Sequence, residues 1–152
     1  GTCEIANDNS LGQIILSGDK ESLISFSNNL KLEKKRCIFL PVSAPFHCSL
    51  MKPAAEKMKL FLQKTEFKNT TLKIISNVTA LPVKKDEDIK DLLYKQIFSQ
   101  VRWRETVEYM IKNDINDFIE IGPGKVLSGL VKRINDKLLT RSLTKIEDIK
   151  NL

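Results

Sequence analysis

A single histidine stands among the 152 residues. It is His47, in the stretch Leu40-Pro41-Val42-Ser43-Ala44-Pro45-Phe46-His47-Cys48-Ser49-Leu50-Met51-Lys52-Pro53. An imidazole can take up and return a proton near neutral pH, so general acid–base work is the chemistry this residue offers. A satisfied core or surface histidine is the plainer reading, and position alone leaves both open. Cys48 follows directly, but neighbouring side chains in an extended turn do not face each other, so the pair is not read as a nucleophile and its base. The strained serine turn G-x-S-x-G occurs nowhere in the sequence. There is no HExxH, no paired cysteine motif and no histidine cluster, so no metal site is expected. Gly122-Pro123-Gly124-Lys125 lacks the spacing of a Walker A loop, and Pro123 and Lys125 break the dinucleotide pattern. It is read as a tight strand-to-helix turn with close backbone packing, whose helix N-terminus is placed to attract an anion.

Positioning His47 falls to the elements around it. Cys37 to Val42 are mostly apolar and predict a strand that breaks at Pro41 and Pro45. Ser49 is the expected N-cap of a helix carrying Pro53 in its first turn, with Leu50, Ala54, Met58 and Phe61 or Leu62 as its apolar face, ending near Gln63. Upstream, residues 4–18 predict a hairpin around the turn cluster Asn7-Asp8-Asn9-Ser10 and Gly12, where asparagines suit turn geometry. Asp19 caps a helix over roughly 20–30, with Leu23, Ile24, Phe26 and Leu30 inward. The resulting β-β-α-β order matches the tail of a ferredoxin-like unit. Downstream, Leu72 to Ser76 predict a short strand. Asp86-Glu87-Asp88 opens a helix whose apolar stripe includes the polar Gln96, which therefore needs a partner. A helix follows Val101-Arg102-Trp103, then a strand over 117–121 and a helix over 125–134. Residues 135–152 look like a frayed polar tail. Strands alternating with helices from Ser49 onward indicate α/β layering and a parallel sheet.

Composition sets the outer bounds. The 41% hydrophobic and 29% charged residues are those of a globular chain. No apolar run reaches the ~20 residues of a membrane span, and no signal peptide or initiator Met stands at the start. A start inside a longer chain is therefore expected. The three cysteines, Cys3, Cys37 and Cys48, form no disulfide framework, which suits free thiols in a reducing cytoplasm. A formal net charge of +6 favours an acidic partner. Basic residues are not interleaved with aromatics, so nucleic acid is not the expected one.

Five ordered segments carry a resemblance. They are Asn7-Asp8-Asn9-Ser10-Leu11-Gly12-Gln13, Pro41 to Met51, Ser76-Asn77-Val78, Gln96 with Val101-Arg102-Trp103, and Ile119 to Leu127. Together, over residues 3–135, they resemble the C-terminal half of the malonyl-CoA:acyl carrier protein transacylase family. The resemblance implies an α/β fold: part of a ferredoxin-like subdomain over 1–43, then the C-terminal part of an α/β-hydrolase-like acyltransferase subdomain over 44–152. It implies malonyl transfer from coenzyme A to acyl carrier protein in fatty acid synthesis, with malonyl-CoA as substrate and no bound cofactor. On that basis His47 is the general base, and the backbone carbonyl of Gln96 holds its ring. Asn7 and Asn9 match asparagines near the acyl pocket, and Asn77 matches another residue of that region. Phe46 matches the position that, in related polyketide acyltransferases, goes with malonyl over α-branched units. The acidic carrier calls for a basic docking surface. Lys34, Lys35 and above all Arg36 are the candidates, beside the plainer reading of an exposed charged turn.

The family's nucleophilic serine, carboxylate-binding arginine and oxyanion glutamine belong to an N-terminal half absent from these 152 residues. The expectation is a piece of a transacylase, inactive alone, whose partners are malonyl-CoA, the carrier and the other half. A non-catalytic basic binding module and an inactive remnant are the alternatives.

Overall fold

A computed structural model describes residues 1–68, 71–85 and 88–150. Near the start of the chain, β1 (Cys3–Ser10) and β2 (Gln13–Gly18) form an antiparallel hairpin. Its tip turns at Gly12, whose φ of +78° is the left-handed conformation glycine adopts without strain. A flat strand would bury every second residue, yet Asp8, Asn9 and Ser10 are all buried. The register explains this. It shifts between Ile5 and Asn7 and again between Asp8 and Ser10, so β1 is irregular twice and its side chains are re-aimed. The asparagines thus lie within β1 and not in the expected turn.

Asp19 caps α1 (Lys20–Leu32) as the sequence predicts, accepting from the Ser22 amide at 2.9 Å and from its hydroxyl at 3.0 Å. Its carboxylate also takes the Thr2 amide, so the hairpin and α1 share one cap. Gly18, just before it, admits no larger residue, because a Cβ there would stand 1.9 Å from the Thr2 carbonyl oxygen. The inward face of α1 differs from the expected one. Ser27 is its buried residue, while Ile24 and Phe26 are exposed.

The segment 37–42 is not a strand. A strand needs a neighbouring edge for its backbone groups, and this segment pairs with no other strand among the described residues; the Val42 amide turns back to the Leu40 carbonyl at 2.9 Å. Nor is Ser49 an N-cap. A 3-10 turn over Ser49–Met51 precedes α2 (Lys52–Lys64), with Pro53 in its first turn. On α2 Ala55 is fully buried, and the expected stripe of Ala54, Met58 and Phe61 faces outward. The strand expected over 72–76 reduces to one bridge, Ile75 with Pro82.

α3 (Asp88–Gln96) and α4 (Trp103–Lys112) follow. The acidic start expected for α3 falls partly on Asp86 and Glu87, outside the described residues. The main core joins α4 to the segment 118–138 that follows it. Val107 and Val131 are sealed, Leu138 nearly so, and Trp103, Met110, Ile111, Phe118 and Ile134 pack around them. β3 (Asp117–Ile121), α5 (Val126–Ile134) and β4 (Leu139–Leu143) form a β-α-β unit with β3 and β4 parallel, Asp117 opposite Leu139 and Ile121 opposite Leu143. Residues 139–149 are therefore no frayed tail: β4 and the short α6 (Ile146–Ile149) are ordered. Their polar sequence had hidden a strand whose outer residues alternate with Thr140, Ser142 and the buried Leu143.

Candidate functional site

His47 sits where the coil after Pro45 turns into the 3-10 start of α2. Its backbone is left-handed, φ +60°, a region seldom occupied by residues with a Cβ. The ring is half-buried, and its Nδ1 lies 2.9 Å from the carbonyl oxygen of Gln96. A carbonyl only accepts, so the proton of the neutral ring is on Nδ1 and Nε2 keeps its lone pair. Gln96 is the last residue of α3. Its carbonyl is one of those a helix end leaves without an intrahelical partner, so it is free to accept from the ring. The imidazole is therefore aimed from behind and able to receive a proton in front. The neighbouring Cys48 is turned away and buried, its thiol donating to the Pro45 carbonyl at 3.2 Å.

Five residues beyond Gln96, the chain knots several elements together. Val101 pairs with the edge of β1: its amide donates to the Ala6 carbonyl at 2.8 Å, and its carbonyl accepts from the Asp8 amide at 3.0 Å. Asn7 is thereby bridged to Val101. The amide of Arg102 donates to the Asn77 carbonyl at 3.1 Å, and its guanidinium to the Thr79 carbonyl at 3.1 Å. Glu105 holds that guanidinium from the other side and raises its affinity for its proton. Arg104 forks onto both oxygens of Asp8, at 3.1 and 2.7 Å, and reaches Glu108 at 3.1 Å. The bonds from Asp8, then Glu108, lift the Arg104 pKa above its already high ordinary value.

Of the residues singled out in the sequence, His47 and Gln96 touch. Asn77 bonds Arg102 through its carbonyl, and Asn7 lies opposite Val101 while its neighbours Ala6 and Asp8 make the bonds. A cavity of about 90 Å³ lies against Gln96 and is lined also by Ser76, Asn77 and Leu93. Asn9 is buried in β1, Phe46 is 45% exposed beside the ring, and neither hydrogen-bonds His47 among the described residues. Lys34, Lys35 and Arg36 are exposed in the turn after α1 and enter no ion pair among the described residues. Sequence reasoning gave no role to Glu4 or Arg104, and quoted Asp8 and Arg102 without foreseeing their partners. The local signals were the spacings of Arg102 with Glu105, three apart, and of Arg104 with Glu108, four apart; Asp8 lies 96 residues from Arg104.

The glycine turn has a different construction from the expected one. Gly122 and Gly124 take positive φ, but a Cβ on either would meet nothing, so conformation and not close packing requires them. The start of α5 is not open to an anion. The Glu120 carboxylate already accepts from Ser128 N at 2.8 Å and Leu127 N at 3.1 Å, and the Ser128 bond foremost holds its pKa below the ordinary value. Among the described residues no group of three or more His, Cys, Asp or Glu side chains is gathered as for a metal. No helix among them is long and apolar enough to cross a membrane.

No family model matches the sequence. A curated protein does: malonyl CoA-acyl carrier protein transacylase of Bacillus subtilis (strain 168) is 44% identical over 148 residues, covering 96% of this chain and 46% of that protein. The chain matches the C-terminal half of the malonyl CoA-acyl carrier protein transacylases. Solved structures agree. The acyl-carrier-protein-S-malonyltransferase of Bartonella henselae superposes with a TM-score of 0.93 at 41% identity, over 99% of this chain and 48% of that one. A malonyl-transacylase solved in complex with its type II PKS acyl-carrier protein gives 0.91 at 35% identity, over 99% and 49%. The chain spans about half the length of the transacylases it matches.

Proposed function

We propose that this chain supplies the histidine-bearing half of a malonyl transfer from coenzyme A to acyl carrier protein. The observation that carries this reading is the Nδ1 contact of His47 with the Gln96 carbonyl, made in a chain 44% identical to a malonyl CoA-acyl carrier protein transacylase. With Nδ1 so engaged, Nε2 draws the proton from a serine hydroxyl of the other half as its oxygen attacks the malonyl thioester. The imidazolium then gives that proton to the departing coenzyme A thiolate. In the second half-reaction Nε2 takes a proton from the carrier thiol, whose sulfur attacks the malonyl ester, and returns it to the departing serine oxygen. Asn7, Asn9 and Asn77 line the acyl region. Phe46 crowds an α-methyl branch, which gives the preference for malonyl. The β1-β2-α1 order supports a partial ferredoxin-like subdomain over 1–43. The β3-α5-β4 unit supports a hydrolase-like remainder over 44–152. The three free cysteines support a reducing, cytoplasmic setting.

The experiment is reconstitution. The chain is mixed or co-expressed with the N-terminal half of the Bacillus relative, and malonyl transfer to carrier protein is followed. Turnover is expected from the pair and none from this chain alone. His47→Ala should lower it by about two to four orders of magnitude. An active pair indifferent to His47→Ala, or turnover by the lone chain, would refute the proposal. In the same pair, Arg36→Glu should raise KM for the carrier and spare that for malonyl-CoA. An equal effect on both would remove Lys34, Lys35 and Arg36 from the docking surface.

A further inference from the structure

The turn around His47 has local bonds, Cys48 to Pro45 and the Met51 amide to the Cys48 carbonyl, but they leave its least favourable residue unsupported. His47 has a left-handed backbone, and the 3-10 turn after it has no cap from its own N-cap side chain. A further hold on the turn comes from 45 residues upstream of Ser49. The Glu4 carboxylate, on β1, accepts the Ser49 amide at 3.0 Å and the Ser49 hydroxyl as well. Ser49 lies two residues from His47, at the point where the chain leaves the left-handed turn. The ring on one side is anchored to Gln96, the backbone on the other to Glu4, and the buried Cys48 between them is tied to Pro45. We propose that Glu4 is a positioning residue for His47, acting through Ser49 to hold the imidazole on the Gln96 carbonyl. The proposal deepens the base role given above, on which its meaning for turnover rests. The two Ser49 bonds, with Lys52 nearby, keep the Glu4 carboxylate ionised more readily than usual. That is the state in which both oxygens accept.

The chain has one histidine, so its ring nitrogens are observed without assignment ambiguity. Nitrogen NMR of the imidazole at pH 8 should show two well-separated resonances in the parent chain, one protonated at Nδ1 and one bare at Nε2. In Glu4→Ala they should move toward the averaged position of a free imidazole, with Glu4→Gln and Ser49→Ala, each keeping one of the two bonds, in between. Ser49→Thr should restore the parent pattern. A purely structural role for Glu4 would lower the unfolding temperature and leave the ring nitrogens in place, and that result overturns the proposal. If Glu4→Ala does not fold, Glu4→Gln and Ser49→Ala decide it by the same spectrum. Failure of the base reading shows separately, as turnover of the reconstituted pair that survives His47→Ala. The nitrogen pattern does not depend on that outcome.

Discussion

Gln96 serves His47 through its main chain, so the amide of its side chain is dispensable to that contact. Gln96→Ala is expected to keep the imidazole tautomer and most of the turnover of a reconstituted pair, within a few fold. Loss on the scale of His47→Ala would shift the role to the side chain. Asp8 is the opposite case, where the charge matters. Its side chain is 10% exposed, and Arg104 forks onto it. Asp8→Ala leaves the guanidinium with Glu108 alone, and urea unfolding should show a loss of about 2 kcal/mol, typical of bonds to charged groups. Arg104→Met in the same background should add little, because the partner is already gone. At this scale the sequence told a divided story. His47 stood out by being unique, and Gln96 by being polar in an apolar stripe. The pairings of Glu4 and Asp8 were invisible because the partners lie 45 and 96 residues away, and no local pattern encodes such pairs.

Helices were legible as elements because capping and periodicity are local. Asp19 began α1, the 103–112 and 126–134 stretches formed helices, and β3 fell on 117–121 as expected. Strands failed where pairing was required. Residues 37–42 and 72–76 have strand composition without a ladder, and β4 has a ladder without strand composition. Two predictions belong here. The Asp19 carboxyl is held down to about 2 from its usual 3.8, first by the Ser22 amide, then by the Thr2 amide. A depressed acid contributes stability that is complete above its unfolded value and lost as pH falls through the folded one. The start of α1 should therefore stay closed until pH drops from 3.8 toward 2. Amide exchange at Ser22 would register the opening, and Asp19→Asn should abolish the pH dependence. At the glycine turn, Gly124→Ala forces a Cβ into φ +95° with nothing to strike. The cost is conformational alone, about 1 kcal/mol in thermal or urea unfolding.

Over the whole molecule, apolar surface is left uncovered in more places than a self-contained fold favours. Ile38, Phe39, Leu40 and Val42 form an exposed strap beside the His47 turn, while Ile121 is 78% and Val126 70% exposed near the start of α5. Patches of this kind mark sites of association. The native chain should bind a hydrophobic dye strongly, and the N-terminal half of a transacylase should suppress that signal on mixing. Dye binding unchanged by the added half would mean these surfaces meet something else. The parallel pair of β3 and β4 carries a further consequence, in the order of events during synthesis. β3 emerges first, yet its hydrogen-bonded neighbour is complete only when Leu143 has been made. The Ser128–Ser142 hydroxyl contact, which ties α5 to β4, has to wait for the same stage. On the ribosome the hairpin can close early, while this corner stays open until some twenty further residues have been added, a window in which a nascent chain is most exposed to misassembly.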